Sequence, residues 1–564
     1  MDAPPVAERR YLTEIALFVG VVLLYGFTFA SVPTADGYWY VNIVDTRDYV
    51  LLLHPTSAGT QVLTYLLRRL LDALHAPIST LAMIQVVNAL VAATGVVAFY
   101  RILGALGGWM AGVIGAALLA VSFGYWYFAN GERQHLSLVV LLVIFGGLVR
   151  ARLRDIDPSW KFIALMGVLN AVAVFFRQEN FLFGFAAVTL LAVGRPWREG
   201  AKDAAIYAGA GAAGTFVLVA VLALFASGVG AYTFGSYYRY YCYGWVVDYT
   251  QGPQDYQAFE HATSFDLPRV VKGQLTAFTI GTQVVFDAAR RLVSLSQRKV
   301  AVLIALTGLA AALMALLLAD LWRARRLIRG AYLAAAAGCL VWLGFYALFH
   351  ARFWPSVTKY QVVSLPPLLL LLMLAVAARS SAGSPPGRSL GAWCAPALLL
   401  VVFTINVWAG IRPWYQYGHM KDHLMALKAR DFRSSDLFIS TESGIDPIFR
   451  GVGEPIHVKD ALIKTTSDEV FGAISEAIQE RLGQRQRVFV YNFVPSPYSL
   501  IGINQAPTRG TQPLTTKDFE VFFDELRTRY AIRQVFAYWE EGKAPLYLFG
   551  ERLEPFWELA LRSR

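Results

Sequence analysis

The sequence predicts an all-α multi-pass membrane domain over residues 1–411 and a soluble α/β domain over 412–564. Three observations predict it. Hydrophobic residues make up 56% of the 564 positions and charged residues only 16%, with a mean hydropathy of +0.46, where soluble domains carry about 25% charged residues. Apolar stretches long enough to cross about 30 Å of hydrocarbon recur as far as Ile411. Beyond it, short β-type runs alternate with amphipathic helical ones. An ordinary soluble enzyme, a disordered chain and a disulfide-rich secreted scaffold are thereby excluded. Cys242, Cys339 and Cys394 lie far apart without metal-type spacing, so neither a zinc site nor a disulfide framework is expected. The net charge of +11 is the mark of basic cytoplasmic loops, not of a nucleic-acid surface.

The expected spans run near 11–32, 80–103, 108–127, 160–176, 204–227, 299–319, 330–349, 360–378 and 391–411. Shorter ones near 135–149 and 180–194 bring the expectation to about eleven. The first span is too long and too quickly followed by others for a cleaved signal peptide. With a cytoplasmic N-terminus, the cytoplasmic connections carry Arg101, then Arg150, Arg152 and Arg154, then Arg195, Arg198 and Lys202, then Arg323 to Arg329, then Arg379 and Arg388. That is the positive-inside bias of an inner (cell) membrane protein. Arg68/Arg69 and Arg290/Arg291 depart from it, on longer segments where the bias is weaker.

The outer face then receives a helical loop at 33–79, a tyrosine-rich loop at 228–298 and the tail. In the tail, DLFIST (436–441), RVFVYN (487–492), IRQVFAYW (532–539) and PLYLFG (545–550) read as strands, with helices near 467–482 and 516–530. No phosphate-binding glycine loop and no solenoid repeat is visible.

Ionisable residues are costly at membrane depth, so their positions matter. They gather at the outer span ends: Asp36, Asp45, Asp48 and His54-Pro55 after the first span, Glu132, Arg133 and His135 after the third, Arg177, Glu179 and Asn180 in FFRQEN, and His350, Arg352 and Lys359 in HARFWPSVTKYQ. Four segments thus bring acids and bases to one level, the material of a polar cavity. Each also has a purely structural explanation. Asp36 can cap a helix, Asp45 and Asp48 can pair with Arg47, and Glu132 can pair with Arg133. Arg177 and Glu179 can form an internal ion pair, and Arg352 and Lys359 can be interfacial anchors. The aromatic runs Trp39/Tyr40, Tyr125–Tyr127 and Tyr237–Tyr243 can form an interface belt.

This layout resembles the GT-C superfamily of integral-membrane glycosyltransferases. Three stretches resemble its protein O-mannosyltransferase-like branch: Asp36 spaced to His54-Pro55 before the apolar run Val62–Leu71, Tyr125-Trp126-Tyr127 before Glu132, and Lys359-Tyr360 running into Leu365-Pro366-Pro367-Leu368. The resemblance implies inverting sugar transfer from a polyprenyl-phosphate donor to a glycan, lipid or protein acceptor at the outer face of the bilayer. It implies Asp36 as general base and Arg352 and Lys359 as phosphate-side cations. His54, Glu132, Arg177 and Glu179 would orient sugar or acceptor. The lipid phosphate is itself the leaving group and no DxD motif is present. No cofactor is therefore expected, and a divalent metal is not indicated. The competing classes are a transporter or flippase, whose related halves and broken mid-membrane helices are not visible, and a non-catalytic scaffold.

Overall fold

The computed structural model describes residues 6–29, 35–54, 57–131, 134–154, 157–243, 265–289, 298–352, 358–381, 390–412, 432–440, 454–457, 467–491, 516–536 and 556–562. Met1–Phe29 with Ile43–Trp408 form one compact unit, and Ala30–Asn42 with Ala409–Arg564 form a second.

The first unit is helical. It opens with α1 (Val6–Gly26); of the expected first loop, α2 (Ala35–Thr46) starts in the second unit and ends in the first, and α3 (Tyr49–Leu52) and α4 (Ala58–Ala73) belong to the first. The helical stretch α5 (Thr80–Val121) is capped by Ser79, whose Oγ accepts from the Ala82 amide at 3.2 Å. It is broken at Gly108, where φ is +78°. A Cβ would clash in that backbone region, so glycine lets the chain fold back there. The hydroxyl of Tyr125, in α6 (Phe123–Phe128), donates to the Ala92 carbonyl at 2.9 Å, closing the hairpin. The expected spans 80–103 and 108–127 are the arms of this one hairpin.

Next come α7 (Gln134–Leu153), α8 (Trp160–Phe176), α9 (Phe183–Ala192) and α10 (Trp197–Gly228). The tyrosine-rich loop contributes α11 (Phe234–Tyr243), α12 (Leu267–Phe278) and α13 (Gly281–Ala289). The unit ends with α14 (Arg298–Arg323), α15 (Ala331–Arg352), α16 (Leu365–Ser381) and α17 (Leu390–Ile405). Among the described residues, seven helices are long and apolar enough to cross a membrane, against about eleven expected spans. The difference has local causes. The α5 hairpin is one continuous stretch, α1 carries Glu8, Arg9, Arg10 and Glu14 in its first half, and α8 and α9 are only 17 and 10 residues long.

Close packing and a few buried polar ties hold the bundle. Gly167 of α8 faces α10 so tightly that a Cβ would lie 2.4 Å from the Tyr207 carbonyl oxygen. Small residues that let helix backbones approach are the usual device of membrane helix pairs. Fully buried Asn406, just past α17, joins three elements. Its amide nitrogen donates to the carbonyls of Val121 (2.9 Å) and Phe278 (3.0 Å), and its oxygen accepts from the Ile280 amide at 3.1 Å.

The second unit contains a five-stranded sheet of order β2-β1-β3-β5-β4, with β1 (Leu437–Ser440), β2 (Glu454–His457) and β3 (Val488–Tyr491) parallel. β5 (Phe556–Leu561) runs antiparallel to β3 and to β4 (Tyr530–Phe536). α18 (Ser467–Gly483) and α19 (Thr516–Arg529) supply Val470, Ile474, Ile478, Phe519, Phe523 and Leu526 to a core shared with Leu437, Ile439, Val488 and Val490. The helical residues recur at three- and four-residue spacing and the strand residues at two, so each element turns one face inward. β1, β3 and β4 form at the expected runs. β2 and β5 were not expected, and the run 545–550 lies outside the described residues.

Candidate functional site

The FFRQEN turn is where the polypeptide leaves α8. Arg177 is the C-cap, with extended backbone (φ −153°, ψ 118°), and Gln178–Leu182 form a 3-10 turn leading into α9. The turn is buried: Arg177 is 8% exposed and Glu179 2%. Asn180 fixes it. Its amide nitrogen donates to the Ala173 carbonyl at 2.9 Å, and its side-chain oxygen accepts from the Tyr346 hydroxyl of α15 at 2.8 Å.

Within this frame Arg177 and Glu179 form a salt bridge. The Arg177 guanidinium also lies 5.2 Å from the centroid of the Tyr360 ring, and the Lys359 ammonium lies 5.3 Å from the same centroid. The His350 ring stacks on Tyr360 at 5.7 Å and 15°. The guanidinium and the ammonium therefore share one aromatic platform, and the Glu179 carboxylate is paired with the guanidinium. Glu179 Oε2 has no hydrogen-bond partner among the described residues. The arrangement can hold an anion such as phosphate against paired donors while the carboxylate accepts from a hydroxyl.

His54 reaches the same neighbourhood through aromatic contacts. It is half-buried and meets the Tyr240 ring edge-on at 5.7 Å. The Tyr237 hydroxyl donates to the Leu53 carbonyl at 3.0 Å. Burial pushes the Tyr237 phenol well above its usual pKa, so it stays a neutral donor. Tyr241, one residue beyond Tyr240, donates to the Val174 carbonyl at 3.3 Å, and its own carbonyl accepts from the Gln178 amide. The start of α4 lies against the end of α8, where the Thr60 hydroxyl donates to the Phe176 carbonyl at 3.3 Å. First loop, tyrosine helix and FFRQEN turn are thus one contiguous surface.

Of the residues expected from sequence, the structure brings Arg177, Glu179 and Lys359 together and connects His54 to them. Asp36 lies in α2, within the part assigned to the second unit, and its side chain is outside the described residues. Glu132 is outside the described residues, as is the side chain of Arg352, the last residue of α15. Asp45 is exposed and accepts from the Thr80 hydroxyl at 2.5 Å, a partner not expected from sequence. Tyr346 and the platform role of Tyr360 escaped sequence reasoning. The spacing of Tyr346 to His350, one helical turn, was the available signal.

Among the described residues there is no group of three or more His, Cys, Asp or Glu that could hold a metal ion. No protein-family model and no curated protein matches the chain. Among solved structures, ArnT from Cupriavidus metallidurans bound to undecaprenyl phosphate is similar over 87% of this chain and 94% of its own, at 13% identity and a TM-score of 0.47. The apo state of ArnT gives the same coverage, 12% identity and a TM-score of 0.49. A likeness of that size leaves the chemistry to be argued from this chain's own residues.

Proposed function

We propose that this chain is a GT-C-type membrane glycosyltransferase that moves a sugar from a polyprenyl-phosphate donor to a glycan, lipid or protein acceptor at the extracytoplasmic face of the inner membrane. The observation that carries this reading is the placing of buried Arg177 and half-buried Lys359 on the Tyr360 ring, with Glu179 paired to Arg177. A phosphate arriving on a lipid anchor needs a cationic seat next to hydrocarbon, and helices long and apolar enough to cross a membrane, seven among the described residues, support that setting.

In this proposal Lys359 and Arg352 neutralise the charge that develops on the departing lipid phosphate. Arg177, aimed by Glu179, orients phosphate and sugar, and His54 and Glu132 contact the sugar or acceptor. Asp36 takes the proton from the acceptor hydroxyl as it attacks the anomeric carbon, opposite the leaving phosphate, so configuration inverts. The acceptor's proton goes to the carboxylate and the bonding pair leaves with the phosphate. No cofactor is needed for that balance. In this proposal the N-terminus lies in the cytoplasm and residues 412–564 lie on the outer face.

The test is an assay of purified full-length protein with undecaprenyl-phosphate-linked sugars. Transfer by the native chain is expected, with Asp36→Asn slower by at least about a hundredfold, the low end for a positioned general base. Absence of transfer from every polyprenyl-phosphate donor would end the proposal. Unaltered transfer by Asp36→Asn would move the base elsewhere, first to Glu132.

A further inference from the structure

A cleft of about 860 Å³ lies between α8, α9, α10 and α11, next to the cationic cluster but not part of it. Phe181, Phe185 and Phe216 line it and are also exposed on the flanks of the bundle, so it opens sideways, where lipid lies around a membrane-spanning chain. Gly184, Ala208 and Gly211 leave its inner wall without bulk.

The lining is largely apolar; besides Thr215, Tyr238 and Tyr241 it carries three further polar side chains, Asn170, Gln178 and Tyr207. Each of these three is more than nine-tenths buried. Asn170 Oδ1, Gln178 Oε1 and the Tyr207 hydroxyl have no hydrogen-bond partner among the described residues. Asn170 and Tyr207 converge, since Nδ2 of one and Cε1 of the other lie 3.7 and 4.0 Å from where a Cβ on Gly184 would sit. Asn170 stands six positions before the end of α8, about 9 Å below it along the helix axis.

Buried polar atoms in proteins are almost always satisfied, and leaving them unmet in hydrocarbon is costly. A plain isoprenoid chain offers them nothing. An acyl ester offers a carbonyl acceptor to the Tyr207 hydroxyl a short way below a polar headgroup, with hydrocarbon beyond it. We infer that this cleft binds an acyl-ester lipid, its ester carbonyl accepting from the Tyr207 hydroxyl and its headgroup at Gln178. Because Gln178 directly follows Arg177, the headgroup emerges beside the cationic cluster. Naming this lipid as the sugar acceptor rests on the function proposed above; the binding site does not.

The experiment is native mass spectrometry of the purified full chain with three probes: dioleoyl phosphatidylethanolamine, its dialkyl ether analogue and undecaprenyl phosphate. The ester lipid should bind about three- to tenfold tighter than the ether analogue, the worth of one buried hydrogen bond. Tyr207→Phe keeps the ring and should erase that difference while leaving undecaprenyl phosphate binding unchanged. Ala212→Trp, which fills the cleft from an exposed helix position, should abolish ester-lipid binding alone. Equal binding of ester and ether lipids, or a preference that survives Tyr207→Phe, would overturn the inference. So would loss of undecaprenyl phosphate binding in Ala212→Trp, which would make the cleft an isoprenoid seat. A chain that binds the ester lipid with these preferences yet transfers no sugar keeps this site and loses the transferase proposal.

Discussion

The guanidinium of Arg177 lies 5.2 Å from the centre of the Tyr360 ring. That contact joins the C-terminus of α8 to the 3-10 turn Thr358–Ser364 that leads into α16. The Lys359 ammonium lies at nearly the same distance from the same ring, at 5.3 Å. Two like charges near one ring would repel if unscreened. The electron-rich ring and the Glu179 carboxylate offset that repulsion.

Tyr360→Phe is expected to keep that platform, and Tyr360→Ala to remove it. A buried cation–π contact contributes about 2 kcal/mol, so Tyr360→Ala should weaken undecaprenyl phosphate binding by roughly ten- to thirtyfold. Tyr360→Phe should stay within about threefold of the native protein. A titration monitored by native mass spectrometry distinguishes the two. An equal loss in both variants would mean that the hydroxyl, and not the ring face, matters.

Glu179→Gln removes the carboxylate of the buried salt bridge with Arg177. Breaking one side of a buried pair costs about 3–5 kcal/mol, so the midpoint of thermal unfolding in detergent should fall clearly. Saturating undecaprenyl phosphate should recover part of the loss, because the phosphate supplies the missing negative charge. A variant as stable as the native protein would show that Arg177 already has sufficient compensation elsewhere.

Asn406→Leu removes three hydrogen bonds at once, two donated to the carbonyls of Val121 and Phe278 and one accepted from Ile280. Leucine has a similar volume, so the loss is of polar partners and not of packing. The orphaned backbone groups should lower stability by about 2–4 kcal/mol, seen as a lower unfolding midpoint or as increased proteolysis at residues 279–282. Wild-type stability would contradict the proposed tie.

In the second unit, the 1%-exposed carboxylate of Asp436 accepts from Arg487 Nη2 at 2.6 Å and from the Arg433 amide at 2.7 Å. It clamps the entry of β1 to that of β3. Asp436→Ala should destabilise this unit by about 2 kcal/mol, the scale of charged hydrogen bonds. Faster hydrogen exchange in β1 and β3 is the measurement, with the α5 hairpin as an unaffected internal reference.

By itself the sequence determined the helices, because apolar length and three-to-four spacing are local properties of the chain. It also determined the break between residues 103 and 108, which the positive φ of Gly108 explains, and the strands β1, β3 and β4. It named Arg177, Glu179, Lys359 and His54, because charges are rare enough among apolar runs to stand out. Tertiary structure alone decided which of them meet. Tyr346 and Asn180 are 166 positions apart yet share a hydrogen bond, and no periodicity within a single helix encodes that. The same holds for Tyr360, in sequence only the neighbour of Lys359 before a proline-leucine run, until packing sets Arg177 and His350 against its ring. β2 and β5, no shorter than β1 and β3, were not expected from sequence; they take their places by pairing with the edges of β1 and β3. Local pattern makes an element; only the packing of distant elements makes a site.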